Sequence, residues 1–311
     1  MSSLRRSLTE YLAVRRALGY KLHEQERLLS QFLDYLEAHG QERISTAHAL
    51  AWATLPARGE CWHSYRLQAV RGFARHLHAI DPRVEVPAAG LLPDRPHRST
   101  PFLYTGKQIA ALILAAQELD TPHNVATYRT LISLLSVTGM RIGEAITLDR
   151  SDFDSREGVL LVRGAKFGKS RELPLHPSTV AALCRYLRRS DRPPSLSGEA
   201  AVFVRMTGTR LRVCNVDRTF RRLVRSAGIE SRSAACSPRL HGLRHTFAVR
   251  TLLDAYRSGE DIQARLALLS TYMGHVDPGS TYWYLQAAPE LMELAGQRLE
   301  RHLEPQQGDQ R

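Results

Sequence analysis

The sequence predicts a mainly α fold in two parts: an N-terminal helical domain, then a larger α-rich domain carrying one small antiparallel β-sheet. Three observations predict it. Apolar residues recur at helical spacing through most of the 311 residues. The periodicity fails across PAAGLLPDRPHRSTP, from Pro87 to Pro101, whose four prolines mark an extended linker. Only two short runs, GVLLVRG from Gly158 and RELPLH from Arg171, read as strands. The boundaries that follow are a helical domain at 1–86, a linker at 87–103 and a second domain at 104–311.

Four helices are expected in the first part. Leu8, Tyr11, Leu12 and Leu18 form one stripe that ends at Gly19, and Leu28, Leu29, Phe32, Leu33 and Leu36 form a second that ends at Gly40. Ser45 is placed to cap a short third helix through Leu55. A fourth, from about Cys61 to Ile80, turns Trp62, Val70, Phe73 and Leu77 inward and sets Arg66, Arg71 and Arg75 on its polar side. Such a charge row is a solvated face or a surface for a polyanion.

The second part opens with a helix near Thr105 to Glu118, followed by a longer one over Val125 to Thr138 that ends at Gly139. The helical pattern resumes after Arg141 and runs to Leu148. The two strands then form a hairpin through AKFGKS, a tight basic turn suited to reaching into a groove of DNA. Further helices are expected at Val213 to Ser226, at Gly242 to Tyr256 and over the terminal stretch, where Leu291, Ala295, Leu299 and Leu303 share one narrow apolar face behind Pro289.

Composition narrows the function classes. The net charge of +12 favours a polyanionic partner, and the excess is shared: residues 1–103 carry 14 basic against 10 acidic side chains, the rest 29 against 21. Arginine supplies 39 of the 43 cations, and two of the four lysines, Lys166 and Lys169, sit in the hairpin turn. An ammonium can surrender a proton at working pH and a guanidinium cannot. Cys61, Cys184, Cys214 and Cys236 are scattered without CxxC spacing, so no zinc ribbon or disulfide framework is indicated. With no apolar leader and no 18-residue apolar run, a soluble protein of the cytoplasm is expected.

Three strings carry the chemistry: TGMRIGEAITL from Thr138, HGLRH from His241 and MGHVDPGSTYWYL from Met273, in which Tyr284 follows His275 by nine positions. Arginines, imidazoles and a lysine suit a pentavalent phosphate better than a carbonyl oxyanion. His241 and Arg244, three apart, share one face of a helical start and can meet one phosphate. Tyr282 is a decoy: two positions along a helix turn it roughly 200° from Tyr284.

These strings, with Lys166 in RGAKFGKSRELPL, resemble the tyrosine recombinase (phage integrase) family over roughly residues 104 to 290 by motif, and over the N-terminal helices by organisation only. The resemblance implies a SAM-like core-binding domain and a catalytic domain that together clamp duplex DNA. It implies that Arg141, Lys166, His241, Arg244, His275 and Tyr284 are catalytic, with Glu144 an orienting carboxylate. Tyr284 would form a 3′-phosphotyrosyl link, His241 would take the phenolic proton, Lys166 would protonate the leaving 5′ oxygen, and His275 would hydrogen-bond the phosphate. Arg66, Arg71, Arg75 and Lys169 are assigned to DNA binding. Neither a metal nor another cofactor is required. The C-terminal helix would dock on a neighbouring protomer in a homo- or hetero-tetramer on two DNA sites, or else pack within its own domain.

STYWYL resembles transposon-borne members. The 31 residues from Arg244 to His275 exceed the interval usual in compact members and predict an extra half-turn or loop near Ser258 to Asp261. The alternative function is a catalytically silent DNA-binding partner within a multi-recombinase complex. A metal hydrolase built on His241 and His245 is disfavoured, because HGLRH lacks a glutamate after its first histidine and Arg244 would repel a cation. A type IB topoisomerase would share the chemistry without a second recombining site.

Overall fold

The computed structural model describes residues 3–56, 59–93, 100–163, 170–196 and 200–274, with Met292, Glu293 and Gly296. Lys166, Lys169, His275, Tyr282, Tyr284 and all but three residues of the expected C-terminal helix lie outside the described residues. The chain divides into two compact units, 1–98 and 99–311.

Among the described residues, four helices make the first unit: α1 (Ser3–Ala17), α2 (His23–Ala38), α3 (Thr46–Thr54) and α4 (Glu60–His78). The α2 stripe is its centre, with Leu28, Leu29, Phe32 and Leu36 fully enclosed against Val70 and Phe73 of α4. Ser45 caps α3 as expected, its hydroxyl accepting from the His48 amide at 3.2 Å. Arg5 ties α1 to α2 by donating to Asp34 and Glu37.

Two expectations need correction here. Leu18 is 66% exposed, because α1 ends at Ala17 and the chain turns at Gly19 in the left-handed region, carrying Leu18 off the stripe. Arg66 does not join Arg71 and Arg75 on a polar face. It is buried, with its guanidinium 3.7 Å above the Trp52 ring centre and Nη2 donating to the Trp52 carbonyl at 2.7 Å. Burial, and next the charge of Arg27, lowers its pKa. Arg75 is exposed and Arg71 half-buried.

The second unit is helical around a small sheet. A capping box of Thr105 and Gln108 starts α5 (Gly106–Ala115), which ends in a 3-10 turn. Thr121 and Pro122 start α6 (Pro122–Thr138). After the turn at Gly139 come α7 (Ile142–Thr147) and the antiparallel sheet β1–β2–β3 (Phe153–Asp154, Val159–Val162, Arg171–Pro174). Its register pairs Leu160 with Leu173 and Val162 with Arg171. The remaining helices are α8 (Pro177–Leu187), α9 (Val213–Ser226), α10 (His241–Arg257) and α11 (Ile262–Met273).

The mainly α architecture with one small antiparallel sheet agrees with the sequence. The strand β1 and the helices α8 and α11 are additions to it. Leu112, Leu131, Leu160, Leu173, Phe203 and Phe220 anchor the main core, and a satellite cluster joins Val249 and Leu252 of α10 to Leu266, Leu269 and Met273 of α11. The long interval after Arg244 resolves into the end of α10, a turn at Gly259 and an Asp261 cap that starts α11. Among the described residues, no helix is long and apolar enough to cross a membrane.

Candidate active site

The site begins at a turn that only glycine can make. Gly139 ends α6 with φ of 59°, and a Cβ there would lie 2.4 Å from the Phe247 ring. The turn delivers Arg141 to the first turn of α7 with extended backbone angles. Glu144, one turn on, closes the box by accepting from the Arg141 amide at 2.8 Å and from Arg141 Nη1 at 3.0 Å.

On α10, His241 and Arg244 fall on one side as their spacing requires. Arg244 is 2% exposed; its Nη1 donates to the Gly139 carbonyl and its Nη2 to the Met273 carbonyl, both at 2.7 Å. It therefore bridges the turn before Arg141 and the end of α11. Arg141 Nη2 points to the next carbonyl, Gly274, at 3.4 Å. The two guanidinium groups thus sit on consecutive carbonyls immediately before His275, although more than 100 residues separate them in sequence.

A third arginine completes the row. Arg171, at the start of β3, donates from Nε to the Tyr272 carbonyl at 2.7 Å and from both terminal nitrogens to Glu144, at 3.2 and 2.8 Å. The last carbonyls of a helix have no partner within it and carry partial negative charge, so the end of α11 attracts cations. Here three arginines take Tyr272, Met273 and Gly274 in turn. Burial works to raise the Glu144 carboxyl, but the hydrogen bonds from Arg171 and Arg141 outweigh it and hold it below the usual carboxylate range.

His241 and His245 meet edge to face, with ring centres 4.6 Å apart. The His241 side chain is open to solvent on one side, while the protein around the rest of it, then the charges of Arg244 and Arg141, lower its pKa. Both guanidinium charges act the same way as desolvation, disfavouring the protonated ring. No third His, Cys, Asp or Glu joins this pair to form a metal-binding cluster among the described residues.

Of the predicted catalytic set, the fold brings together Arg141, His241 and Arg244, with Glu144 behind Arg141. Lys166, Lys169, His275 and Tyr284 lie outside the described residues. Sequence reasoning passed over Arg171. Its signal was present: strand alternation puts position 171 on the same face as Leu173, which is fully buried, so a charged residue there had to find a partner inside.

Comparison with known proteins gives a consistent result. A model of the phage integrase family matches residues 103–290. The protein y4rB of Sinorhizobium fredii, which carries an integrase/recombinase name, is 44% identical over 98% of this chain and 99% of its own length. The tyrosine recombinase XerD of Xanthomonas campestris is 31% identical over 82% of this chain and 76% of its own. Among solved structures, the Tn1549 transposon integrase in complex with transposon right end DNA superposes with a TM-score of 0.66 at 19% identity, covering 95% of this chain and 98% of that one. At that identity the likeness is one of fold.

Proposed function

Because this chain belongs to the phage integrase family of tyrosine recombinases, we propose that it is a site-specific DNA recombinase that cuts and rejoins strands through a covalent 3′-phosphotyrosyl intermediate. The observation that carries the reading is the convergence of Arg141 and Arg244 on the carbonyls of Gly274 and Met273, beside His241. Motifs far apart in sequence meet at one cationic point, and the chain continues from that point into His275 and Tyr284.

In this reading the Tyr284 oxygen attacks the scissile phosphorus while His241, kept neutral by its surroundings, accepts the phenolic proton. Arg141 and Arg244 stabilise the charge growing on the non-bridging oxygens, and His275 donates a further hydrogen bond. The bond to the 5′ oxygen breaks as Lys166 supplies a proton to it. A 5′ hydroxyl from a second duplex then attacks the phosphotyrosine, restoring both the phenol and a phosphodiester. One phosphoester replaces another at each step, so the scheme requires no external energy source.

Duplex DNA is the proposed partner, with Arg75, Arg71 and the hairpin residue Lys169 at its backbone and the C-terminal helix joining protomers into a tetramer. An element-borne role in integration or transposition accords with the relatives. The test uses nicked, fluorescently labelled duplexes tiled across the DNA flanking this protein's gene, from which a cleaved strand end diffuses away and traps the covalent complex. Wild type should form a denaturation-resistant adduct, and Tyr284→Phe should lose it while still shifting the duplex in a gel. An adduct that survives in Tyr284→Phe and disappears in Tyr282→Phe would reassign the nucleophile. Binding by wild type without any adduct would instead mark a silent partner in a larger complex.

A further inference from the structure

Arg171 differs from Arg141 in how much of its side chain is left open. Its side chain is 12% exposed, against 35% for Arg141. Three of its nitrogens are engaged, two with Glu144 and one with the Tyr272 carbonyl. Among the described residues, Arg141 commits one donor to Glu144 and one to Gly274, leaving three of its five N–H groups against two for Arg171. The backbone accommodates this arrangement at a specific place: Gly274 lies in the left-handed region, and a Cβ there would come within 2.8 Å of Arg171 Nη1.

Glu144 is a single carboxylate held between two guanidinium groups. With Arg171 present, each Glu144 oxygen is shared, and the three groups together carry one net positive charge. Without Arg171, the whole carboxylate charge would fall on Arg141 and cancel it. The same side chain also joins three pieces of backbone: α7 through Glu144, β3 on the return side of the lysine hairpin, and the end of α11 before His275.

We propose that Arg171 is a positioning residue for strand cleavage, sharing Glu144 with Arg141 so that Arg141 keeps a free cationic edge, and fixing that edge against the hairpin strand and the end of α11. It does not touch the phosphate itself. The role rests on the recombinase reading, and its test separates the two.

The experiment measures single-turnover adduct formation on the tiled nicked duplexes as a function of duplex concentration, yielding a half-saturation point and a maximal rate. In Arg171→Gln the maximal rate should fall on the order of 100-fold, the cost of a small misplacement at a reacting centre. Half-saturation should stay within about threefold, since most affinity comes from contacts to the DNA backbone elsewhere. Arg171→Lys, which keeps the charge beside Glu144 but lacks the fork, should recover about tenfold of the loss. Arg171→Gln combined with Glu144→Gln should be no slower than the slower single variant, because both act through one node.

A wild-type maximal rate in Arg171→Gln, or a change confined to half-saturation, would overturn the role. So would fully additive losses in the double variant. If Arg171→Gln fails to fold, Arg171→Lys decides alone: a lowered maximal rate at unchanged half-saturation supports the role and a wild-type rate overturns it. Absence of adduct in wild type would overturn the recombinase reading and this role with it, whereas equal activity in wild type and variants would overturn the role only.

Discussion

Arg244 is almost wholly buried, yet both ends of its guanidinium rest on backbone carbonyls. A lysine ammonium is a point charge on a flexible stem and cannot span Gly139 and Met273 while presenting a flat donor edge. At His241 the consequence is one of pH. Its imidazole must be neutral to accept a proton, and the protonated fraction falls as pH rises through a midpoint that burial, Arg244 and Arg141 place below the ordinary value of about 6.5. Single-turnover adduct formation should therefore rise with pH through a midpoint below that value, and His241→Gln should lose this acid limb. A midpoint at or above the ordinary value would contradict the assignment. Arg141, Glu144, His241 and Arg244 were legible as two pairs one turn apart, within motifs that resemble a known family. Arg171 showed only through strand alternation, and Arg66 not at all. A one-dimensional reading sees an arginine as a surface charge, and it cannot see a ring such as Trp52 or a carboxylate such as Glu144 folding back to meet it.

At the scale of elements, close approach is set by two glycines. Gly139 lets the end of α6 lie on Phe247, and Gly242, inside HGLRH, lets α10 meet the segment Phe102–Tyr104. A Cβ on Gly242 would stand 2.6 Å from the Phe102 carbonyl and 2.8 Å from the Tyr104 ring. That segment is also pinned by hydrogen bonds, the Tyr104 amide to Thr246 at 2.8 Å and the Tyr104 hydroxyl to the Arg239 carbonyl at 3.0 Å. Gly242→Ala should cost roughly 1–3 kcal/mol by overpacking, read as a lower midpoint in urea with an unchanged slope; a wild-type midpoint would show that α10 can slide. The long amphipathic helices were evident from their stripes. Helix α8 was not, since it is capped by a His176 ring nitrogen accepting from the Ser178 amide in place of a Ser, Thr or Asp oxygen. Helix α11 carried an Asp261 cap, but its apolar residues spread around the helix instead of forming a stripe. The two-residue β1 is too short for alternation to register.

Across the whole molecule, a charge of +12 shared by both parts of the chain suits a long polyanion, and the arginine row at the end of α11 concentrates that charge where the motifs meet. The division of labour is chemical. In the proposed reading, scattered surface arginines would supply salt-dependent affinity that any duplex would feel, while the arginine row with its shared carboxylate would supply the preorganised field that a transferring phosphate needs. In the proposed reaction Tyr284 becomes joined to a 3′ phosphate. This is tested most directly by trapping the adduct on a nicked duplex, digesting both protein and DNA, and locating the nucleotide by mass spectrometry. A nucleotide linked through its 3′ phosphate to the Tyr284 oxygen is expected; attachment at Tyr282 or any other side chain, or through a 5′ phosphate, would rule this reaction out.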